Sequence, residues 1–337
     1  MPPLLVLIVA VLATTYAGPI VRFATAPAVA IAFWRLALVL PITGALAWGE
    51  GRGERFDPAR RGLAVHPNVP LPSPLSPLLM VLSGLLLALH FWSWIASLRF
   101  TTVASSVVLV SLKPVFAWGI AALWLREHPG RAERWGIVVA VLGASLIGLG
   151  DARLSLGALS GDALALCGAL TGAGYYVIGR RVRQTVGIWR YATVVYAVAA
   201  AALALFALAG TTPLVGFARR DWAVFGAMAA GPMLVGHTGM NYALRHFRAT
   251  TVNVAALGEP VGASVIAWLV PSIHEVPPLT VVIGGVLVLL GIALSLRGDG
   301  RGERFAAVAD GPAARRNVPL PSPLSPGRAK RSDGNES

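Results

Sequence analysis

Two charged residues, each followed by proline, have the clearest potential for chemistry in this chain. Lys113-Pro114 lies in Ala104-SSVVLVSLKPVFAWGIAALWL-Arg126, Glu259-Pro260 lies in Ala249-TTVNVAALGEPVGASVIAWLV-Pro271, and the two dipeptides align when the stretches are superposed. About ten apolar residues flank each dipeptide on both sides, which puts each charge near the midplane of a helix spanning roughly 30 Å of hydrocarbon. An ionised side chain there costs about 2.5–3.5 kcal/mol on insertion scales, so it marks a pathway, a pair or a water-filled cavity. Opposite charges at equivalent places fit three roles: a fixed bridge, a gate that breaks during a conformational cycle, or receptors for the two ends of a zwitterion. Each proline also lacks an N–H, so the carbonyl four residues earlier, of Val110 or Ala256, is expected to lose its helical partner.

Further candidates repeat in the same paired way. His90 with Trp94, and His237 with Asn241, are each spaced i, i+4, which places both members on one helix face. The histidines fit either an interhelical hydrogen bond or a cavity lining, and both are neutral at pH 7 by their ordinary values. His90, Phe91, Trp92, Trp94, Trp118, Tyr175, Tyr176 and Tyr242 offer flat apolar surface with polar edges. Tryptophan and tyrosine serve equally well as interfacial belts. Asn241 and Asn253 require partners in a dry interior, Asp162 reads as a helix N-cap, and Arg35 reads as a snorkelling side chain. Gly168 with Gly172, and Gly258 with Gly262, have the spacing of close helix contacts. A single cysteine, Cys167, excludes a disulfide framework, and no Cys/His spacing calls for a metal or other cofactor.

The elements that must position these residues are membrane spans. Of 337 residues, 56% are hydrophobic and 13% charged, the balance of an integral membrane protein. The net charge of +13 does not indicate nucleic acid, because nearly all basic residues sit in short connections between apolar runs. Those runs fall at about 4–21, 28–48, 77–97, 103–124, 133–150, 161–179, 189–209, 222–243, 250–270 and 276–296, and all must be helices because an open strand edge in lipid leaves backbone groups unpaired. Ala24-Thr25-Ala26 resembles a signal-peptide cleavage site, but Met1-Pro2-Pro3 supplies no positive leader, so the first run is expected to be retained. Alternating the connections puts 21 Lys and Arg with the two termini and 5 on the other side, which makes both termini cytoplasmic.

Five helices per copy is an odd number, so the second copy enters the membrane inverted. Phe33-Trp34-Arg35 against Ile188-Trp189-Arg190 echoes the duplication. The expected fold is therefore an all-α integral membrane protein of ten transmembrane helices arranged as a 5+5 inverted repeat. Residues 1–150 form the first repeat, with a Pro-rich cytoplasmic loop at 49–76; residues 151–297 form the second; residues 298–337 form a disordered cytoplasmic tail. Inverted repeats are the architecture of secondary transporters, with the site near midplane between the copies.

A separate repetition crosses this frame. GRGERF occurs at 51–56 and 300–305, and NVPLPSPLSP at 68–77 and 317–326, both offset by 249 residues where the helical repeat is offset by 146. So many prolines predict extended, solvated chain in both places, suited to a polyproline ligand or to no function at all.

The stretches Leu112-KPVFAWGIAALWLREHPGRAERWGIVVAVLGASLIG-Leu149, Gly161-DALALCGALTGAGYYVIGR-Arg181 and Gly236-HTGMNYALRHFRATTVNVAALGEPVGASVIAWLV-Pro271, with the glycine pair Gly284-Gly285 beyond, resemble the EamA-type branch of the drug/metabolite transporter superfamily. The resemblance covers nearly everything from 4 to 296, and among its relatives are bacterial exporters of aromatic amino acids. It implies a protein of the bacterial inner membrane with a central cavity lined mainly by helices 1, 3, 4, 6, 8 and 9. It further implies export of amino acids or related metabolites, with the lipid bilayer and a small molecule as partners, no enzymatic activity and no nucleic acid. A proton-coupled antiporter of cationic drugs is the alternative. Substrate contacts are then expected at His90, Trp94, Lys113, Trp118, Tyr175, His237, Asn241 and Glu259. The family's acidic residue closing helix 9 has Glu275 as its displaced counterpart. The orientation is directly checkable: a reporter fused after Ser337 is expected in the cytoplasm, and a cysteine at Thr211 is expected to react with an impermeant reagent from outside. Labelling at Thr211 only after permeabilisation contradicts it.

Overall fold

Apolar side chains that face outward reveal the solvent this protein is built for. Leu82, Leu85 and Leu89, or Val282, Val286, Leu289 and Leu290, form exposed stripes on their helices, while small residues such as Ser83, Gly84 and Ala88, or Gly284, Gly291 and Ser295, face inward. That is the reverse of a water-soluble bundle and the pattern of helices solvated by lipid and packed through small residues. The computed structural model describes residues 2–21, 23–56, 74–101, 106, 109–149, 159–269, 276 and 278–309. Every regular element among them is helical.

The helices are α1 Pro3–Thr14, α2 Ala17–Val21, α3 Ala28–Ala37, α4 Leu40–Phe56, α5 Ser76–Ser97, α6 Lys113–Ile120, α7 Arg131–Leu149, α8 Leu159–Val182, α9 Ile188–Ala209, α10 Arg219–Met228, α11 Thr238–Ala243, α12 Ala249–Ala255, α13 Gly258–Leu269 and α14 Leu279–Ala309. Wider π-helical turns extend α6 over Ala121–Leu125 and join α10 to α11 over Ala229–His237. Among the described residues, five stretches are long and apolar enough to cross a membrane: Pro3–Val21, Ala28–Glu50, Ser76–Ser97, Ile188–Ala209 and Leu279–Asp299.

Several expected continuous spans are broken. Between α1 and α2, the hydroxyls of Thr14 and Thr15 donate to the carbonyls of Val11 and Leu12, both at 2.7 Å, and such back-bonding bends helices. A turn at Ser111-Leu112 precedes α6, and another at Ala256-Leu257 separates α12 from α13. Prolines immediately inside α6 and α13 explain the positions, since proline suits a helix start but not its interior. The Ala256 carbonyl is not left free as expected: it accepts the Glu259 N–H at 3.1 Å, tightening the turn.

The polar ends also depart from expectation. GRGERF is helical in both copies, in the last turns of α4 and within α14. None of its six residues is proline, arginine and glutamate are good helix formers, and each copy merely propagates a helix already nucleated upstream. Ser76-Pro77 opens α5, with proline in the first turn. Residues 68–73, 310–337 and Glu275 lie outside the described residues.

The core lies where α8 runs along α5 and α6, and α9 packs on α3, α4 and α5; α1 rests against the π-helical segment and α11. A second, smaller core joins α7, α12 and α14 through Ile137, Ala140, Val254, Leu257 and Val288. The sequence pairs Gly168/Gly172 and Gly258/Gly262 do admit close neighbours: a Cβ at Gly172 would sit 2.8 Å from His90 Nδ1, and one at Gly262 2.2 Å from Thr15 Cγ2. A tighter seam joins α7 and α14. A Cβ at Gly136 would lie 2.6 Å from the Gly291 carbonyl oxygen, and one at Gly143 2.6 Å from that of Gly284.

At the arginine-rich connections, the helices are tied by charge. Glu133, fully buried in the first turn of α7, accepts Arg248 Nη1 at 2.8 Å and the hydroxyls of Thr250 and Thr251, while the Arg248 N–H donates to Asp299 at 2.9 Å. Partial burial pulls the Arg248 guanidinium down, but the hydrogen bond and charge of Glu133 and then Asp299 hold it above its ordinary value. The glycine seam yields a stability test. Gly143→Leu should lower Tm in detergent by several degrees, from overpacking costs of about 1–3 kcal/mol, whereas Leu142→Ala on the exposed flank should leave it nearly unchanged.

Candidate functional site

The core between α3, α5, α8 and the α10–α11 segment is polar. His237 closes the π-helical turn and Asn241 follows one turn later on α11. On α8, Tyr175 and Tyr176 project inward and are both buried, with the surrounding run of Gly168, Gly172 and Gly174 giving neighbouring helices room to approach. On α5, His90 and Phe91 face the same interior.

A chain of hydrogen bonds ties these residues together. Thr238 Oγ1 donates to the Met233 carbonyl at 3.2 Å, so it accepts from the Tyr196 hydroxyl at 2.9 Å. The Tyr196 oxygen in turn accepts Asn241 Nδ2 at 3.5 Å, and the same amide nitrogen makes a closer bond to the Tyr175 hydroxyl. Asn241 Oδ1 is buried with no partner among the described residues. Tyr176 donates to Met240 Sδ at 2.9 Å and lies 3.3 Å from His237 Nδ1, its ring parallel to the imidazole. His90 Nδ1 is 2.7 Å from the Gly168 carbonyl, which can only accept, so the proton sits on Nδ1 and Nε2 is an acceptor.

Charge enters this network from three helices. Lys113 is the first residue of α6, Glu259 the second of α13, and both side chains are half-buried. They are near enough to interact electrostatically, but the ion pairs among the described residues are Arg180–Glu127, Arg248–Glu133 and Arg248–Asp299. The expected pair is therefore coupled electrostatically without forming a closed ion pair. The third charge is Arg35. It does not snorkel to headgroups: it is 1% exposed, with its guanidinium carbon 4.0 Å above the centre of the Phe91 ring. Two small residues on the same helix, Ala28 and Ala32, are fully covered beside it, and an arginine one turn beyond such alanines was the sequence signal for an inward face.

The expected residues thus divide. His90, Tyr175, His237 and Asn241 meet in one polar interior, with Lys113 and Glu259 in electrostatic reach of it. Trp94 packs beside Gly168 at its margin. Trp118 is elsewhere, against the smaller core of Ile137, Ala144, Val254 and Leu257, and Tyr242 pairs with His246 at 5.1 Å. Arg35 and Tyr196 complete the site without having been expected there. Among the described residues this interior offers hydrogen-bonding groups, aromatic surface and charge.

The sequence pattern of the EamA-like transporter family matches residues 1–149 and 159–297. The chain is 30% identical over 222 residues to the pseudopaline exporter CntI of Pseudomonas aeruginosa strain UCBPP-PA14, covering 65% of this chain and 75% of that protein, and equally to CntI of the PAO1 strain. A solved crystal structure shares the fold with a TM-score of 0.69 over 89% of this chain and 98% of its own, at 17% identity. The tyrosine network makes its own prediction. Tyr196→Phe removes the link between Asn241 and Thr238 and should cost about 1–2 kcal/mol, read as a Tm lowered by a few degrees in detergent. Tyr242→Phe should not.

Proposed function

The chain belongs to the EamA-like transporter family, and on that premise we propose that it is a secondary exporter of amino acids, aromatic ones included, or of closely related metabolites. It is a multi-pass membrane protein. We read it as ten spans in two inverted halves within a bacterial inner membrane, both termini cytoplasmic, working by alternating access to the interior around Lys113 and Glu259. Export is the direction in the name of the Pseudomonas relative.

The observation that carries this reading is the matched pair of helix breaks. Ser111-Leu112 and Ala256-Leu257 interrupt equivalent stretches of the two copies, and each break leaves a charged residue in the first turn of the following half-helix. Discontinuous helices of this kind are where transporters expose backbone dipoles to a substrate at midplane. Coupled electrostatically, Lys113 suits a carboxylate and Glu259 an ammonium. The tyrosine and histidine faces nearby supply a surface for an aromatic side chain.

Cationic drug antiport is the weaker reading, because Lys113 and Arg35 both lie in electrostatic reach of the carboxylate that would have to bind the cation. Uptake of a labelled amino acid panel into proteoliposomes, with and without a pH gradient, tests the proposal. Lys113→Ala and Glu259→Gln should each lower uptake by about tenfold or more, the effect of losing one partner of a desolvated charge contact. Normal uptake by both variants would relocate the site, and a folded protein that moves no amino acid would refute amino acid export.

A further inference from the structure

Arg35 is the one buried charge among the described residues of this interior whose role the reading above leaves unused. Its Nε is buried without a hydrogen-bond partner, and among the described residues its guanidinium makes no ion pair and donates no hydrogen bond. Phe91 covers one flat face at 4.0 Å. Such stacking leaves the N–H edges open, and those edges are the fork that matches a carboxylate. Glu259 lies within electrostatic reach of Arg35, but a buried charge with no hydrogen-bonded partner costs several kcal/mol, so its retention points to a partner that comes and goes.

The charge balance around it says what that partner carries. Arg35 and Lys113 both act on Glu259, and the same two cations act on His90 and His237. Three tyrosines, Tyr175, Tyr176 and Tyr196, face Arg35 as neutral hydroxyls. With neutral histidines, the charged groups in electrostatic reach of one another here, among the described residues, are two cations and one carboxylate. Both half-helices also begin there, and the partial positive charge of a helix start adds to the cationic side. A simple zwitterion would satisfy Lys113 and Glu259 and leave Arg35 bare.

We propose that the substrate is an amino acid bearing a second carboxylate, with Arg35 binding that carboxylate while Lys113 and Glu259 hold the other carboxylate and the ammonium. This rests on the reading of the interior as the transport site and names its substrate class.

The test compares glutamate and 2-aminoadipate with glutamine, phenylalanine and inorganic phosphate, on the purified full-length protein. Two readouts are used: ligand-induced rise in Tm, and counterflow in proteoliposomes. The dicarboxylates should raise Tm at concentrations where glutamine does not. Arg35→Gln should cut glutamate transport by about 30-fold or more, the low end for losing one partner of a buried charge pair, and should cut it several-fold more than it cuts glutamine transport. Equal Tm shifts from glutamate and glutamine on the wild-type protein overturn the proposal, even where Arg35→Gln fails to fold. So does phosphate acting as well as glutamate, which would make this a general anion site. Transport of phenylalanine without glutamate would overturn the dicarboxylate alone and leave amino acid export standing. Absence of transport with glutamate-selective stabilisation would remove amino acid export but keep the dicarboxylate site.

Discussion

Hydrocarbon offers no hydrogen-bond partner, and that single fact orders the whole molecule. Backbone N–H and C=O groups must be satisfied within each segment, which is why the described elements are helices and why leucine and valine face outward. The same fact makes every interruption of a helix informative. The breaks before α6 and α13 are tolerable only because they are turned inward, where the Ala256 carbonyl finds the Glu259 N–H and where side chains from other helices stand in for water. Buried polar residues therefore gather in networks that satisfy one another, one of them in the interior enclosed by α3, α5, α8 and α11 and another around Glu133 and Arg248.

Much of this was legible in the chain before any coordinates. Lys113 and Glu259 announce themselves because a midspan charge is so costly, and the EamA resemblance rests on the order and duplication of the stretches around them. His90, Tyr175, His237 and Asn241 converge because i, i+4 spacing and inward glycines on α8 leave little choice of face. Arg35 was not legible as a site residue. Its position along the run at 28–48 suits snorkelling, the alanines before it are a faint contrary signal, and the depth of α3 against Phe91 decides between them. Trp118 failed for the opposite reason: aromatic character does not say which of two cores a helix face meets. The helical GRGERF copies were missed because the prolines downstream dominated the reading, although helix propagation depends on what precedes a segment.

The interior separates two kinds of polar group. Asn241, Tyr196, Thr238 and Tyr175 are linked donor to acceptor and fix α8, α9 and α11 relative to one another. Arg35, Lys113 and Glu259 are held near one another without closing into bridges. The first group gives the interior a shape; the second leaves charges there that no hydrogen bond or ion pair among the described residues satisfies.

The glycine seam between α7 and α14 has a mechanical meaning. Ordinary helix pairs stand about 8–10 Å apart and meet through side chains that can exchange rotamers, so they can slide from one packing to another. Where Gly136 meets Gly291 and Gly143 meets Gly284, backbone rests on backbone, and there are no rotamers to exchange. Those two helices behave as a single strut, and any movement of helices past one another has to fall to seams lined by side chains.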